Sequence, residues 1–308
     1  MTVKKVVILC PGQGAQAVGM GSDCANTFPE AKAVFDEADE ILGDSLGGSL
    51  SSICFAGPPE RLNQTDVSQP AIYTCSIASY RGLIEQVGKM EISAAAGLSL
   101  GEYTALHLAG VFGFADGLRL VARRGQVMQE ACEASQSGMV ALVGADEQQA
   151  EEVCQRAGQE QVLVFANFNA PGQVVLSGHV EACQRAASIA SDMGLRASIL
   201  TVAGAFHSPL MQLAADKMAE ALDGIEFNDP EFPIWSNVTA QPHEAENPEQ
   251  IKHKLVQQIV KPVKWAQSCV QILTENQDEY HELAPGTVLR GLMRRIDRSV
   301  KVSSHDKP

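Results

Sequence analysis

Two kinds of hydrophobic pattern divide the chain. Short unbroken apolar runs bounded by glycine or proline predict buried strands, and longer stretches with apolar residues three and four apart predict helices. Val6 to Leu9 is the first short run, and it stops at Pro11-Gly12. Residues 28–42 and 58–88 read as helical, the latter in two pieces. The part from Ile72 to Val87 is apolar on most sides, so it should be buried, against the strand that leads to Ser99. Ala95-Ala96-Gly97-Leu98-Ser99-Leu100-Gly101-Glu102-Tyr103 reads as strand, sharp turn and helix. A helix follows over Phe114 to Met128, with Leu118, Val121, Ala122 and Gly125 as its apolar face.

From about residue 133 to 203 the pattern shifts to strand (Met139–Val143), helix (Asp146–Ala157), strand (Val162–Asn167), turn (Asn169–Gly172), strand (Gln173–Gly178), helix (Glu181–Met193) and strand (Arg196–Val202). The order β-α-β-β-α-β is that of a ferredoxin-like unit. It predicts a small domain over 133–203, inserted between the two parts, 1–132 and 204–308, of a larger one. The remainder predicts a helix over Met211–Leu222, a strand over Pro233–Val238 and a helix over Ile251–Val260 that breaks at Pro262. A strand then closes at His281–Gly286, and a basic terminal helix spans Val288–Ile296.

Composition narrows the classes. The chain has 308 residues, 45% hydrophobic and 19% charged, which suits a folded protein with a large core. No run of eighteen apolar residues is present, so no membrane span is expected. Lys4 and Lys5 before the first apolar run imitate a signal peptide, but the run ends too soon at Pro11, and a buried strand is the better reading. A net charge of −14 argues against general nucleic-acid binding. Eight scattered cysteines without a Cys-x-x-Cys pair suit reduced thiols of a cytoplasmic protein better than disulfides or a metal site.

The candidate chemistry starts at Gly97-x-Ser99-x-Gly101. A serine on such a turn projects its hydroxyl from the end of a sheet, beside a helix N-terminus. By itself the motif is equally a glycine-flanked surface turn. Gly12-x-Gly14-x-x-Ala17 imitates a dinucleotide fingerprint, but no second strand follows to present an acid to a ribose. A tight loop that turns a backbone N–H toward a reaction centre is the other use of those glycines. Arg123 and Arg124 leave their helix about 100° apart, so they cannot reach one target, and two solvated arginines are the plain reading. His207 stands among small and aromatic residues before a helix, which suits a general base. The other six histidines, among them His243, sit in unremarkable company.

Six blocks occur in one order: Pro11-Gly12-Gln13-Gly14-x-Gln16, Gly97-x-Ser99-Leu100-Gly101-Glu102-Tyr103, Arg124-Gly125-x-x-Met128-Gln129, Asn169-x-Pro171-Gly172-Gln173, Gly204-Ala205-Phe206-His207 and Pro262-Val263-x-Trp265. Together they resemble the malonyl-CoA:acyl carrier protein transacylases of fatty-acid synthesis, over residues 5 to about 297. The resemblance implies an α/β-hydrolase-like core with a parallel sheet and an inserted ferredoxin-like domain. It implies Ser99 as nucleophile and His207 as its base, with the backbone N–H groups of Gln13 and Leu100 as oxyanion hole. It also implies that Arg124 binds the malonyl carboxylate, that the Gln258 carbonyl orients His207, and that Asn169 lies near the CoA and carrier channel. Phe206 should then crowd the α-carbon of the acyl group. The resemblance further implies malonyl-CoA as substrate and acyl carrier protein as partner, with no cofactor or metal; a monomer is expected.

Two positions depart from the family pattern: Leu98 stands where most relatives carry histidine, and Ala284 where they carry glycine. An acidic chain that meets an acidic carrier needs a local basic patch, for which Lys261, Lys264, Arg290, Arg294, Arg295 and Arg298 are the candidates. A polyketide acyltransferase, a serine hydrolase and a non-catalytic carrier-binding scaffold are the alternatives.

Overall fold

Five parallel strands form the larger sheet of the computed structural model, which describes residues 5–275 and 278–308. Met1 to Lys4, the start of the expected first domain, lie outside the described residues. In chain order the strands of this sheet are β1 (Lys5–Cys10) and β2 (Glu91–Gly97), and after the small sheet β7 (Ile234–Trp235), β8 (Glu279–Leu283) and β9 (Val302–His305). The small sheet holds β3 (Ser137–Val143), β4 (Leu163–Ala170), β5 (Gln173–His179) and β6 (Arg196–Ile199). The large sheet runs β7-β2-β1-β8-β9, which places β1 at its centre. Val6 to Cys10 are at most 1% exposed. A central parallel strand is covered on both faces, which is why this run is apolar without alternation.

Along β2 the side chains do alternate between two cores. Ala94 and Ala96 share a cluster with Trp235 and Trp265, and Ala95 shares the other with Leu100 and Tyr103. The apolar helix Thr65–Val87 packs chiefly on the helices Phe114–Glu133 and Pro29–Leu42, meets the sheet at β8, and shares a buried cluster with Ala95 of the strand that leads to Ser99. A helix apolar on most sides carries no stripe to say which neighbour it faces. The expected strand Pro233–Val238 keeps only Ile234 and Trp235, because the chain turns at Ser236, whose N–H donates to the Gln241 carbonyl, 2.9 Å. Beyond the expected terminal helix lies β9, which the sequence reading missed; it is a short, half-exposed edge strand with little apolar signal.

The small sheet runs β4-β5-β3-β6, antiparallel throughout. One face, with Val140, Leu142, Val174 and Leu176, packs on the helices Glu147–Gly158 and Val180–Asp192. The other face presents Met139 and Val175 to the larger unit. Two backbone bonds join the units: Phe168 N–H donates to the Val263 carbonyl, 2.9 Å, and Val263 N–H to the Ala166 carbonyl, 2.8 Å. The expected turn at Asn169 starts at Pro171 instead, because Ala170 still pairs with Gln173. Similarly β6 ends at Ile199, and Leu200 to Ala203 line the cleft described next.

Candidate active site

Ser99 stands where β2 gives way to the helix Gly101–Leu108. A Cβ on Gly97 would lie 1.8 Å from the Gly101 carbonyl carbon, and one on Gly101 would lie 2.1 Å from the Cys10 carbonyl oxygen. Only glycine permits this approach. Ser99 itself has φ 52°, in the left-handed region. Such a conformation costs of order 1–3 kcal/mol for a residue with a Cβ and persists where neighbours over-determine it. Here Ser99 N–H donates to Asn237 Oδ1 at 2.7 Å, Asn237 Nδ2 donates to the Gly97 carbonyl at 2.7 Å, and Gln258 Nε2 donates to the Ser99 carbonyl at 3.0 Å.

His207, also at positive φ (58°), is 4% exposed. Its Nε2 lies 2.9 Å from Ser99 Oγ and its Nδ1 lies 2.7 Å from the Gln258 backbone carbonyl. A carbonyl only accepts, so the ring proton sits on Nδ1 and the Nε2 lone pair faces the hydroxyl. The loop is held from below by Ser208 Oγ, which donates to the Ala205 carbonyl, 2.7 Å, and by Ala205 N–H, which donates to Ser137 Oγ, 3.1 Å.

Arg124 is 1% exposed, so the solvated reading fails for it; Arg123 stays half-buried and donates to Gln126 Oε1, 3.0 Å. Arg124 Nη1 donates to Gln69 Oε1 at 2.7 Å, and Nη2 donates both to Gln258 Oε1 at 3.0 Å and to Ser99 Oγ at 3.1 Å. Its guanidinium lies over the Tyr103 ring, 5.5 Å from the centroid. The serine hydroxyl therefore accepts from a cation and donates to a neutral imidazole, an arrangement that favours loss of its proton to His207.

A cleft of about 660 Å³ opens on this centre, lined by Gln13, Ser99, Arg124, Asn169, Phe206 and His207 among others. Met139 and Val175 of the small sheet close its far side, and Leu98 borders it beside Ser99. Leu100 and Gln258 lie behind the wall, 0% and 1% exposed. The backbone N–H groups of Gln13 and Leu100 donate to no protein group among the described residues. Asn169 Oδ1 likewise has no partner, though it is buried.

Residues 7–304 match the family model described as acyl transferase domain. The malonyl CoA-acyl carrier protein transacylase of Escherichia coli K12 is 40% identical over 299 residues, 97% of this chain and 94% of that protein. The chain belongs to the malonyl CoA-acyl carrier protein transacylase family. The fold of this family member agrees with solved relatives. The Coxiella burnetii malonyl CoA-acyl carrier protein transacylase superposes with a TM-score of 0.93, 34% identity and coverage of 99% of this chain and 95% of that one. A malonyl-transacylase solved in complex with its type II PKS acyl-carrier protein superposes with a TM-score of 0.92, 38% identity, and coverage of 99% and 96%.

The electrostatics of the enzyme's cleft suit a base that is uncharged at neutral pH. Burial pushes the His207 imidazole down to about 4, and the Arg124 cation beside it adds to the shift. Burial also pulls the Arg124 guanidinium below its ordinary value, though arginine stays charged in proteins. A His207 that acts as general base is competent in its neutral form, and acylation is then expected to be retained as pH falls past the ordinary histidine value of 6.5 and to be lost only near 4. The acid limb of the pH dependence of CoA release, measured as kcat/KM, is expected well below pH 6.5. By linkage the same shift destabilises the fold as pH drops between 6.5 and about 4, where the unfolded imidazole binds a proton that the native one does not.

Several residues at the centre were not singled out from sequence. Gln69 is a ligand of Arg124, Asn237 holds the serine turn, and Glu102 and His243 lie behind them, with His243 Nε2 2.7 Å from Glu102 Oε1. His243 was read as unremarkable, yet its side chain is fully buried. No local signal marks them: Glu102 shares its short helix with Thr104 and His107 as well as apolar residues.

Proposed function

We propose that Ser99 and His207 carry a two-step malonyl transfer from malonyl-CoA to the phosphopantetheine thiol of an acyl carrier protein. The observation that carries this reading is the Ser99 hydroxyl, set 2.9 Å from His207 Nε2 and 3.1 Å from Arg124 Nη2 at the foot of the cleft. In the first step Ser99 Oγ attacks the thioester carbonyl while His207 Nε2 takes its proton. The oxyanion forms against the N–H groups of Gln13 and Leu100, and the partial positive charge of the helix start supports it. The C–S bond breaks, and CoA leaves as a thiol with the proton from His207. In the second step the carrier thiol gives its proton to His207 and attacks the malonyl ester, and Ser99 recovers the proton.

Acyl transfer between thioester and ester needs no oxidant or reductant, so the reading calls for no redox cofactor, and malonyl-CoA enters as substrate. Arg124 pairs the malonyl carboxylate, Phe206 crowds the α-carbon, and Asn169 borders the passage of the pantetheine arm. Gln258 orients the base through its carbonyl. The test is the intact mass of the protein after mixing with malonyl-CoA. A gain of one malonyl group is expected, and its transfer to added carrier should return the free protein. Persistent release of free malonate in place of transfer would mark a hydrolase.

The two-part layout supports a ferredoxin-like insertion over 133–203 in a catalytic domain of 1–132 and 204–308. Among the described residues no helix is long and apolar enough to cross a membrane. We assign the enzyme to fatty-acid synthesis, as a monomer in the cytoplasm. A polyketide carrier is the second reading, favoured by the solved complex with a type II PKS carrier. Relative specificity constants on a fatty-acid and a polyketide carrier decide between them.

Carrier docking relies on the basic set at one flank. Lys261, Arg290, Arg294, Arg295 and Arg298 are exposed and Lys264 is half-buried. The helix Val288–Ile296 packs on β4 and the helix Trp265–Glu275, close to the Lys261–Lys264 segment. Transfer to the carrier should weaken as salt rises, while acylation by malonyl-CoA should change little. Charge reversal across the set should raise the apparent KM for carrier and leave acylation intact; an unchanged KM would move the docking face elsewhere.

A further inference from the structure

Behind the cleft lies a carboxylate that touches no substrate position. Glu102 is 1% exposed. Its Oε2 accepts from Gln258 Nε2 at 2.7 Å and from the Asn237 backbone N–H at 3.1 Å. Its Oε1 lies 2.7 Å from His243 Nε2. His243 Nδ1 is buried and has no partner among the described residues, so the ring proton belongs on Nε2, where the carboxylate accepts it.

The side-chain amide of Gln258 lies between two groups of opposite hydrogen-bonding character. Its Nε2 faces Glu102, which only accepts, and its Oε1 faces Arg124 Nη2, 3.0 Å away, which only donates. Turned over, the amide would set oxygen against carboxylate and N–H against guanidinium. The carboxylate, together with the Ser99 carbonyl that also accepts from Nε2, leaves the amide one satisfied orientation, and that orientation supplies one of the three protein acceptors of the Arg124 fork among the described residues, beside Gln69 Oε1 and Ser99 Oγ.

We propose that Glu102, anchored by His243, is a positioning residue for malonyl selection: it holds the Gln258 amide with its oxygen toward Arg124 and thereby sets the guanidinium beside Ser99. This rests on Arg124 as the reader of the malonyl carboxylate. A role confined to holding the serine turn, through Asn237, would slow every acyl group alike. Gln258 also holds the turn, through Nε2 and the Ser99 carbonyl, but its Oε1 contact to Arg124 acts on malonyl more than on acetyl, which the ratio isolates.

The experiment is the ratio of malonyl to acetyl specificity constants in Glu102→Ala, Gln258→Leu, the double variant and Arg124→Ala, with thermal melts as a check on folding. Glu102→Ala should lower the ratio about tenfold or more, Gln258→Leu should do the same, and the double variant should fall no further, because residues in one network are not additive. Glu102→Asp, which keeps the charge and withdraws it by one methylene, should lower the ratio by about threefold, and it serves where Glu102→Ala does not fold. Equal losses on both thioesters in the folded Glu102 variant, or additive effects in the double variant, overturn the proposal. If Arg124→Ala lowers the ratio and the Glu102 variants do not, only the role of Glu102 fails. If Arg124→Ala leaves the ratio unchanged, the carboxylate-reading role of Arg124 fails with it.

Discussion

Ser99→Ala is expected to take up no malonyl group from malonyl-CoA, as read by intact mass, and to lose transfer to the carrier. Among the described residues no other hydroxyl is hydrogen-bonded to His207: Oγ of Ser99 lies 2.9 Å from Nε2, and the ring is fixed from its other side by the Gln258 carbonyl at 2.7 Å. Removing the hydroxyl leaves the base without a proton to take and the acyl group without an acceptor. His207→Ala should keep the nucleophile but slow acylation by about 10²–10⁴, the usual contribution of a general base. Some of that loss is offset by Arg124, whose Nη2 still donates to Oγ at 3.1 Å and favours its ionised form. The two variants together should be no slower than Ser99→Ala alone, since the pair acts as a unit. Acylation of Ser99→Ala at the wild-type rate would remove the serine from the mechanism.

Arg124→Ala should separate malonyl from acetyl. The malonyl carboxylate enters a cleft whose floor is buried, and an unpaired charge there is unfavourable. In the free enzyme the Nη2 that faces Ser99 Oγ is a donor placed to turn to that carboxylate, while Gln69 accepts from Nη1, Gln258 accepts from Nη2, and the buried Nε–H has no partner among the described residues. Loss of the side chain should cost malonyl transfer about 2–5 kcal/mol, by analogy with truncated buried charge pairs. Acetyl has no carboxylate to lose a partner and should fall far less. Lysine at this position should rescue in part, since it keeps the charge without the planar fork. The measurement is the ratio of specificity constants for the two thioesters. Arg123→Ala is the control: its side chain donates to Gln126 on the same helix, away from Ser99, and the ratio should stay near wild type. A ratio unchanged in Arg124→Ala would mean that the residue supports the fold and does not read the substrate.

Local chemistry carried much of this in the sequence. An apolar run that ends at Pro11, a Gly-x-Ser-x-Gly turn after small residues, and strand and helix lengths between 133 and 203 are decided by residues close in the chain, so their signals are short-range. The strands β1 to β6 and the turn at Ser99 emerged from them with ends displaced by a few residues. Tertiary structure alone decided which of two adjacent arginines is buried, because a helix fixes the angle between them but not the direction of its core. The same holds for the residues that hold the centre. Gln258 meets Arg124 across 134 residues and Glu102 across 156, and Asn237 meets Ser99 across 138. Nothing in their own neighbourhoods distinguishes a polar side chain turned to water from one turned inward. Only the closed fold, which removes water from Glu102 and His243, makes their hydrogen bonds obligatory and so assigns them to one another.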